Sequence, residues 1–263
     1  MRRKIKDLIS LKASRHLFYI PIIIFKINNW YSFLLNYIGL RNEPNEYKFR
    51  SGIRIKTNEG VDAATIAVIF IKKDYGKIND NYIVIDIGAN IGVFSVYAVA
   101  VSKDTKVYAY EPYAKSYELL LENIKINKFE NSIVPFKLGV GAHKVKRKLF
   151  LASSSPFHSL YSDKKEKYIE IECITLKDIF INNKINYCNL LKMDCEGSEF
   201  EILYNTPKEY LSKIKEIRLE YHNQEKDKYN IKDLTKFLVN NGFKVIKFRS
   251  DYQYSGNAWF RRT

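Results

Sequence analysis

A chain of 263 residues has room for one α/β domain of roughly 200 residues plus an extra segment, and not for two large domains. Hydrophobic residues make up 46%, enough for a sizeable core, and no stretch is repetitive or biased enough to be fibrous or disordered. The 44 Lys and Arg against 29 Asp and Glu leave a formal charge of +15, which inclines the surface to nucleic acid, acidic glycans or membrane headgroups, although genomic composition or a hot habitat yields the same balance.

Residues 1–46 read as a basic, aromatic, helical N-terminal segment. Its first 40 residues hold seven basic side chains (Arg2, Arg3, Lys4, Lys6, Lys12, Arg15, Lys26) and one acid, Asp7. The longest apolar run there, Leu17 to Phe25, contains Pro21 and is well short of a membrane span, and no signal-peptide cleavage pattern is found. From Ile27 to Leu40, Trp30, Phe33, Leu34 and Tyr37 recur at helical spacing, with Gly39 near the end. That face either packs on the domain or forms a surface touching a membrane or an acidic substrate. The three cysteines, Cys173, Cys188 and Cys195, are odd in number and form no CxxC pair. They argue against a zinc site and a secreted disulfide framework, and for a cytoplasmic, at most membrane-peripheral, setting.

The second unit, residues 47–263, opens with a short strand pair expected over Arg50 to Thr57 around Gly52 and a helix over Asp62 to Lys72 with Ile66, Ile69 and Phe70 inward. Six β-rich runs follow: Tyr82 to Ile87, Lys106 to Glu111, Ile133 to Val140, Tyr187 to Asp194, Glu216 to Tyr221 and Phe243 to Phe248, most separated by segments of helical period. Such alternation predicts βαβ units and a largely parallel sheet. An insert at about 147–174 holds two further strands, Lys148 to Ala152 and Tyr168 to Ile174, joined by the polar stretch Ser153 to Lys167. The final run, Gly256 to Arg262, follows the sixth too closely for a crossover helix and should be antiparallel to it.

Chemistry concentrates where strands end. Asp86-Ile87-Gly88-Ala89-Asn90-Ile91-Gly92 follows an apolar strand and precedes a helix over Val93 to Val101, the context of a nucleotide-type glycine loop. Gly88 allows a tight turn, Gly92 allows close approach of ligand and helix, and amides at the helix start can meet a ligand carboxylate. Glu111 ends the second strand 19 residues after Gly92, where a carboxylate can accept from two ribose hydroxyls. Spacing alone also permits NAD. Asn90 in place of a middle glycine, and the antiparallel last strand, point instead to S-adenosylmethionine.

The runs Val84-Ile85-Asp86-Ile87-Gly88-Ala89-Asn90-Ile91-Gly92-Val93-Phe94-Ser95, Tyr110-Glu111-Pro112, Leu121-Glu122-Asn123 and Leu190-Leu191-Lys192-Met193-Asp194-Cys195-Glu196-Gly197-Ser198-Glu199 together resemble the FkbM-type methyltransferases over about residues 47 to 262. The resemblance implies a Rossmann-like class I methyltransferase fold: a mostly parallel seven-stranded sheet with its last strand antiparallel and helices on both faces. It also implies S-adenosylmethionine as cofactor, held by Asp86, Gly88, Ala89, Asn90, Gly92, Glu111, Pro112, Asn123 and Gly139, and transfer of its methyl to a hydroxyl on a sugar, glycan, glycolipid or other small molecule. Two positions depart from the family. Thr175-Leu176-Lys177 followed by Asp178 stands where Thr-Leu-Asp is usual, and Cys195 replaces an apolar residue.

For an alcohol acceptor the enzyme must align the oxygen with the donor and manage its proton. Asp194, at the carboxyl end of the fourth strand, is the first candidate for base or orienting group. Glu196 either supports it or, with Ser198, only caps the next helix. His222, just past the fifth strand, is a second candidate base, ahead of His158 in the insert, while His16 and His143 have no such placement. Two neighbouring carboxylates could hold Mg2+, but no metal site is predicted. Lys164, Lys165 and Lys167 suit an anionic acceptor or a solvated charge run equally. A nucleic-acid methyltransferase is the rival enzyme, set back because Met193-Asp194-Cys195-Glu196 is neither an Asn-Pro-Pro-Tyr motif nor a Pro-Cys pair. A non-catalytic cofactor-binding or membrane-associated module is the rival from another class.

Overall fold

The computed structural model describes residues 18–37, 40–42, 44–57, 62–151, 167–224, 228–250 and 254–263. His16, His158, Gly39, Lys164 and Lys165, and nearly all of the polar stretch of the insert, lie outside them. Helix α1 (Ile20–Lys26) and helix α2 (Trp30–Tyr37) precede an antiparallel pair, β1 (Glu46–Lys48) and β2 (Arg54–Lys56). The pair begins earlier than the sequence pattern indicates, because Arg50 to Gly52 form the turn rather than a strand. Helix α3 (Asp62–Ile66) runs straight into a π-helical turn, Ala67–Ile71, and together they bury Ile66, Ile69 and Phe70 as expected.

The central sheet comprises β3 (Ile83–Ile87), β4 (Lys106–Tyr110), β5 (Ile133–Phe136), β9 (Cys188–Met193), β10 (Ile214–His222), β11 (Phe243–Ser250) and β12 (Ser255–Arg262). Their order is β11-β12-β10-β9-β3-β4-β5, with β12 alone reversed against both neighbours. Between them come α4 (Val93–Ala100), α5 (Ala114–Ile126), α6 (Leu176–Asn182), α7 (Glu199–Tyr204), α8 (Lys208–Ser212) and α9 (Ile231–Asn240).

Side chains alternate across a strand, so the inner strands bury both faces and read as unbroken apolar runs. Val84 and Leu190 face one core, which takes in α1 to α5, including Ile23, Phe33, Phe94 and Leu120. Ile85 and Leu191 face the other, built with α6 to α9 from residues such as Phe180, Phe200, Leu211 and Leu234. The described part of the N-terminal segment therefore shares the main core. Its α1 buries Ile23 but leaves Phe25 at the surface, where Phe18 just before the helix also lies, and no helix among the described residues is long and apolar enough to cross a membrane.

One predicted strand is two. The run Ile133 to Val140 breaks after β5, and Gly139–Val140 (β6) joins β7 (Lys146–Phe150) and β8 (Tyr168–Ile174) in a separate sheet of order β6-β8-β7. Pro135 lacks an amide proton and sits on β5, the edge strand, where that costs least. Gly139 pairs with Cys173 of β8, so the insert hangs on the main sheet through β6. Asp178, beside the departing Lys177, completes a capping box at the start of α6: its amide donates to Thr175 Oγ1 at 3.1 Å and its carboxylate accepts from the Thr175 amide at 2.9 Å.

Candidate active site

Two loops meet at the carboxyl ends of β3 and β9. The first turns at Gly88, where φ is +75° and a Cβ would lie 1.9 Å from the Asp194 carbonyl oxygen, so only glycine fits. The amides of Gly88 and Ala89 both donate to Tyr110 O at 3.0 Å, that of Gly92 to Ala89 O at 2.8 Å, and that of Asn90 to Glu111 Oε2 at 2.8 Å. These four loop amides are thus committed within the protein, which leaves the expectation for a ligand carboxylate to the amides of the helix start from Val93 on. Gly92, also left-handed at φ +85°, serves packing: a Cβ there would lie 2.4 Å from Leu120 Cδ1 on α5.

Of the predicted cofactor residues, Gly88, Ala89, Asn90, Glu111, Pro112 and Gly139 line one cavity of about 480 Å3, within the roughly 300–1,000 Å3 usual for small-molecule sites. Gly92, Asn123 and Asp86 do not line it. Asn123 is wholly buried, donating to Ile91 O at 2.8 Å and Lys56 O at 3.0 Å, which ties the loop to β2. Asp86 lies behind the loop. Its Oδ2 accepts from Ser95 Oγ at 2.7 Å, and Oδ1 pairs with Lys192 Nζ at 2.9 Å. Lys192 also donates to Gly88 O at 2.8 Å, so this buried pair braces the loop. Burial disfavours the ammonium, yet the Asp86 and Asp194 carboxylates outweigh it and raise the Lys192 pKa.

Glu111 is buried at the cavity wall. Desolvation pushes its carboxyl up to about 7, against the pull of the Tyr113 and Asn90 amides. The second loop follows β9. Asp194 lines the cavity and accepts from the Tyr75 hydroxyl at 3.4 Å; burial and the carboxylates of Asp194 and Glu220 raise that phenol well above its usual range, so it stays a donor. Glu196 adopts φ +52°, a strained conformation for a side-chain-bearing residue. Ser198 is the N-cap residue of α7 but its side chain makes no cap hydrogen bond; the Glu199 carboxylate instead braces the preceding loop, accepting from the amides of Cys195 at 3.0 Å and Gly197 at 2.9 Å. The Ser198 hydroxyl is buried with no hydrogen-bond partner.

His222 ends β10 beside the cavity. Its Nε2 lies 3.5 Å from Glu196 Oε2 and 3.9 Å from Glu220 Oε1, and its Nδ1 lies 3.5 Å from Glu199 Oε1, beyond good hydrogen-bond range. Burial works against its charge, but Glu199, Glu196 and Asp194 prevail and raise its pKa. Burial raises the Glu196 carboxyl, aided by Asp194 and opposed by His222. Asp194, Glu196 and His222, drawn from two strand ends, are therefore brought together as the sequence suggested, whereas His143 has no place here. Tyr75, Lys192, Ser198, Glu199 and Glu220 are additions. A lysine inside the apolar run Leu190 to Met193 was a readable sign of a buried carboxylate partner. Nothing local marks Tyr75, which arrives from 119 residues away.

The strand order with its one reversed member, the glycine loop after β3 and a buried carboxylate at the end of β4 define a Rossmann-like class I methyltransferase that uses S-adenosylmethionine, whose ribose hydroxyls suit Glu111. Residues 86–245 match the Methyltransferase FkbM domain, and the chain belongs to that family. It is 22% identical over 210 residues to Methyltransferase sdnD of Sordaria araneosa, covering 68% of this chain and 80% of that protein. It is 31% identical over 140 residues to the tRNA (guanine(37)-N(1))-methyltransferase Trm5b of Methanocaldococcus jannaschii, covering 51% and 40%. The structure of Methyltransferase FkbM from Methylobacillus flagellatus aligns with a TM-score of 0.51 at 17% identity, covering 74% of this chain and 47% of that one, about half its length.

If Glu111 holds the ribose as predicted, binding is pH-dependent: the hydroxyls would donate to the ionised carboxylate, so affinity for S-adenosylhomocysteine should rise through a midpoint near 7 and, one unit below that midpoint, lie about tenfold under its high-pH value. The ligand-free fold should show the opposite slope. Its raised pKa means the unfolded chain loses this proton first, so stability falls as pH climbs from about 4.5 to about 7. Calorimetric titration across this range, with Glu111→Gln as the pH-insensitive control, checks both the midpoint and its assignment.

Proposed function

We propose that this chain moves a methyl group from S-adenosylmethionine to a hydroxyl oxygen of a sugar, glycan, glycolipid or other small molecule. One observation carries the reading: the Asp194 carboxylate faces the same cavity as the cofactor loop, with Glu196 and Glu220 on the same wall. The cofactor supplies a methyl group already activated by its sulfonium. Asp194, oriented by the Tyr75 hydroxyl, takes the acceptor's proton as the S–C bond breaks and the O–C bond forms, a contribution of about 10²- to 10⁴-fold. The carboxylate-rich wall favours a neutral or cationic acceptor over the anionic one suggested by Lys164, Lys165 and Lys167.

A second reading, RNA methylation, is favoured by the similarity to Trm5b and by the net charge of +15. The acidic wall would repel an approaching phosphate backbone. The two readings part when the protein is given methyl-labelled S-adenosylmethionine with separated polysaccharide, lipid, small-metabolite and nucleic-acid fractions. Label in one of the first three, reduced at least about a hundredfold by Asp194→Asn, is the expected result. Label confined to nucleic acid transfers the assignment to the second reading.

A further inference from the structure

We propose that Asp194, Glu196 and His222 bind one divalent cation of the Mn2+ or Mg2+ kind at the acceptor end of the cavity; the assignment of that end to the acceptor rests on the function proposed above. Each residue offers one donor atom, and the three donors lie within 4.8 Å of one another. Glu196 Oε2 and His222 Nε2 are 3.5 Å apart. Around an ion with bonds of ~2.1–2.5 Å, adjacent donors stand ~3.0–3.5 Å apart and opposite ones ~4.2–5.0 Å, so side-chain adjustment alone closes the set. The donors sit at the ends of two paired strands, β9 and β10, whose last register pair is Leu219 with Met193.

Two further observations point to a cation. Glu199 and Glu220 also lie within 3.9 Å of the imidazole, so four carboxylates with Asp194 and Glu196 surround one histidine, whose extra proton a bound cation would displace, and the ammonium that lines this cavity, Lys192, is committed to Asp86 and Gly88 O. The Ser198 hydroxyl, wholly buried on the same cavity wall, has no hydrogen-bond partner and can accept from a water held by an ion. An ammonium ligand would be served by carboxylates alone. The imidazole donor favours a metal, and with two carboxylates it suits Mn2+ above Mg2+. Three protein donors leave positions for water and for the acceptor oxygen, which the ion would orient and acidify, while the Asp194 oxygen that is not a ligand keeps the proton-accepting role proposed above.

The test titrates the full chain, with S-adenosylhomocysteine bound, against MnCl2 and reads the free ion by electron paramagnetic resonance. The expected result is one Mn2+ per chain, displaced by excess Mg2+ and weakened at least about tenfold by Glu196→Gln and by His222→Gln, with S-adenosylhomocysteine still bound by both variants as the control for folding. A readout on the unaltered chain stands beside it: bound Mn2+ should broaden the imidazole proton resonances of one histidine. No Mn2+ bound at millimolar concentration, binding that both variants leave intact, or no broadened histidine would overturn the site. No acceptor enters this assay, so a failure of the hydroxyl assignment alone leaves its outcome untouched.

Discussion

Replacing Lys192 with methionine should cost about 3–5 kcal/mol of folding stability, because it strands a buried charge. Asp86 has no exposed surface, and without the ammonium 2.9 Å from Oδ1 its carboxylate keeps only the Ser95 hydroxyl. Gly88 O loses its donor at the same time. Urea denaturation of the ligand-free protein reads the loss directly. The double variant Asp86→Asn with Lys192→Met should recover part of it, since neither charge then remains unpaired. A single-variant loss below about 1 kcal/mol would mean that Asp86 is solvated or protonated at little cost, and that the pair does not brace the loop.

Gly88→Ala should abolish measurable cofactor binding while leaving the sheet folded. The left-handed backbone at φ +75° costs an L-residue about 1–2 kcal/mol. The added methyl would meet the Asp194 carbonyl, a backbone group in a strand end that cannot rotate away, at a further cost of about 1–3 kcal/mol. The relief available is for the loop to lift off β9, which carries Asn90 and the Glu111 contact with it. Gly92→Ala is the comparison. Its clash is with the end of the Leu120 side chain, so it should lower the melting temperature yet retain most of the S-adenosylhomocysteine affinity. Equal loss of binding in the two variants would show that the Gly88 contact has no special part.

The sheet was legible because its inner strands are buried on both faces, and a short connection announced the reversed β12. The strand over Ile133 to Val140 was misjudged for a reason local pattern does not carry: Gly139 and Val140 pair with Cys173 and Ile174, residues of the insert. The glycine loop and Glu111 were found by spacing along the chain. What that spacing could not assign was division of labour. Gly92 and Asn123 belong to the motif yet meet Leu120 and Lys56 rather than the cavity. Asp194, Glu196 and His222 were each visible as strand-end residues, but their convergence depends on β9 and β10 being neighbours, which is a property of the sheet order. Ser198 occupies the N-cap position that the sequence offered, but its hydroxyl caps nothing, and it is Glu199 that holds the loop carrying Glu196.

The contact between Gly88 and the Asp194 carbonyl has an evolutionary side. The two loops that line the cavity touch there with no room for a side chain, so a substitution that shifts the Asp194 backbone also disturbs the cofactor loop at Gly88. A change of acceptor preference is accordingly expected to come more readily from cavity positions away from that contact, such as Ala64, Thr65, Val68, Leu138, Leu149 and Ile171. Those small and aliphatic positions are not members of the Asp86–Lys192 brace or of the carboxylate cluster, so a changed pocket there would leave the machinery that transfers the methyl group in place.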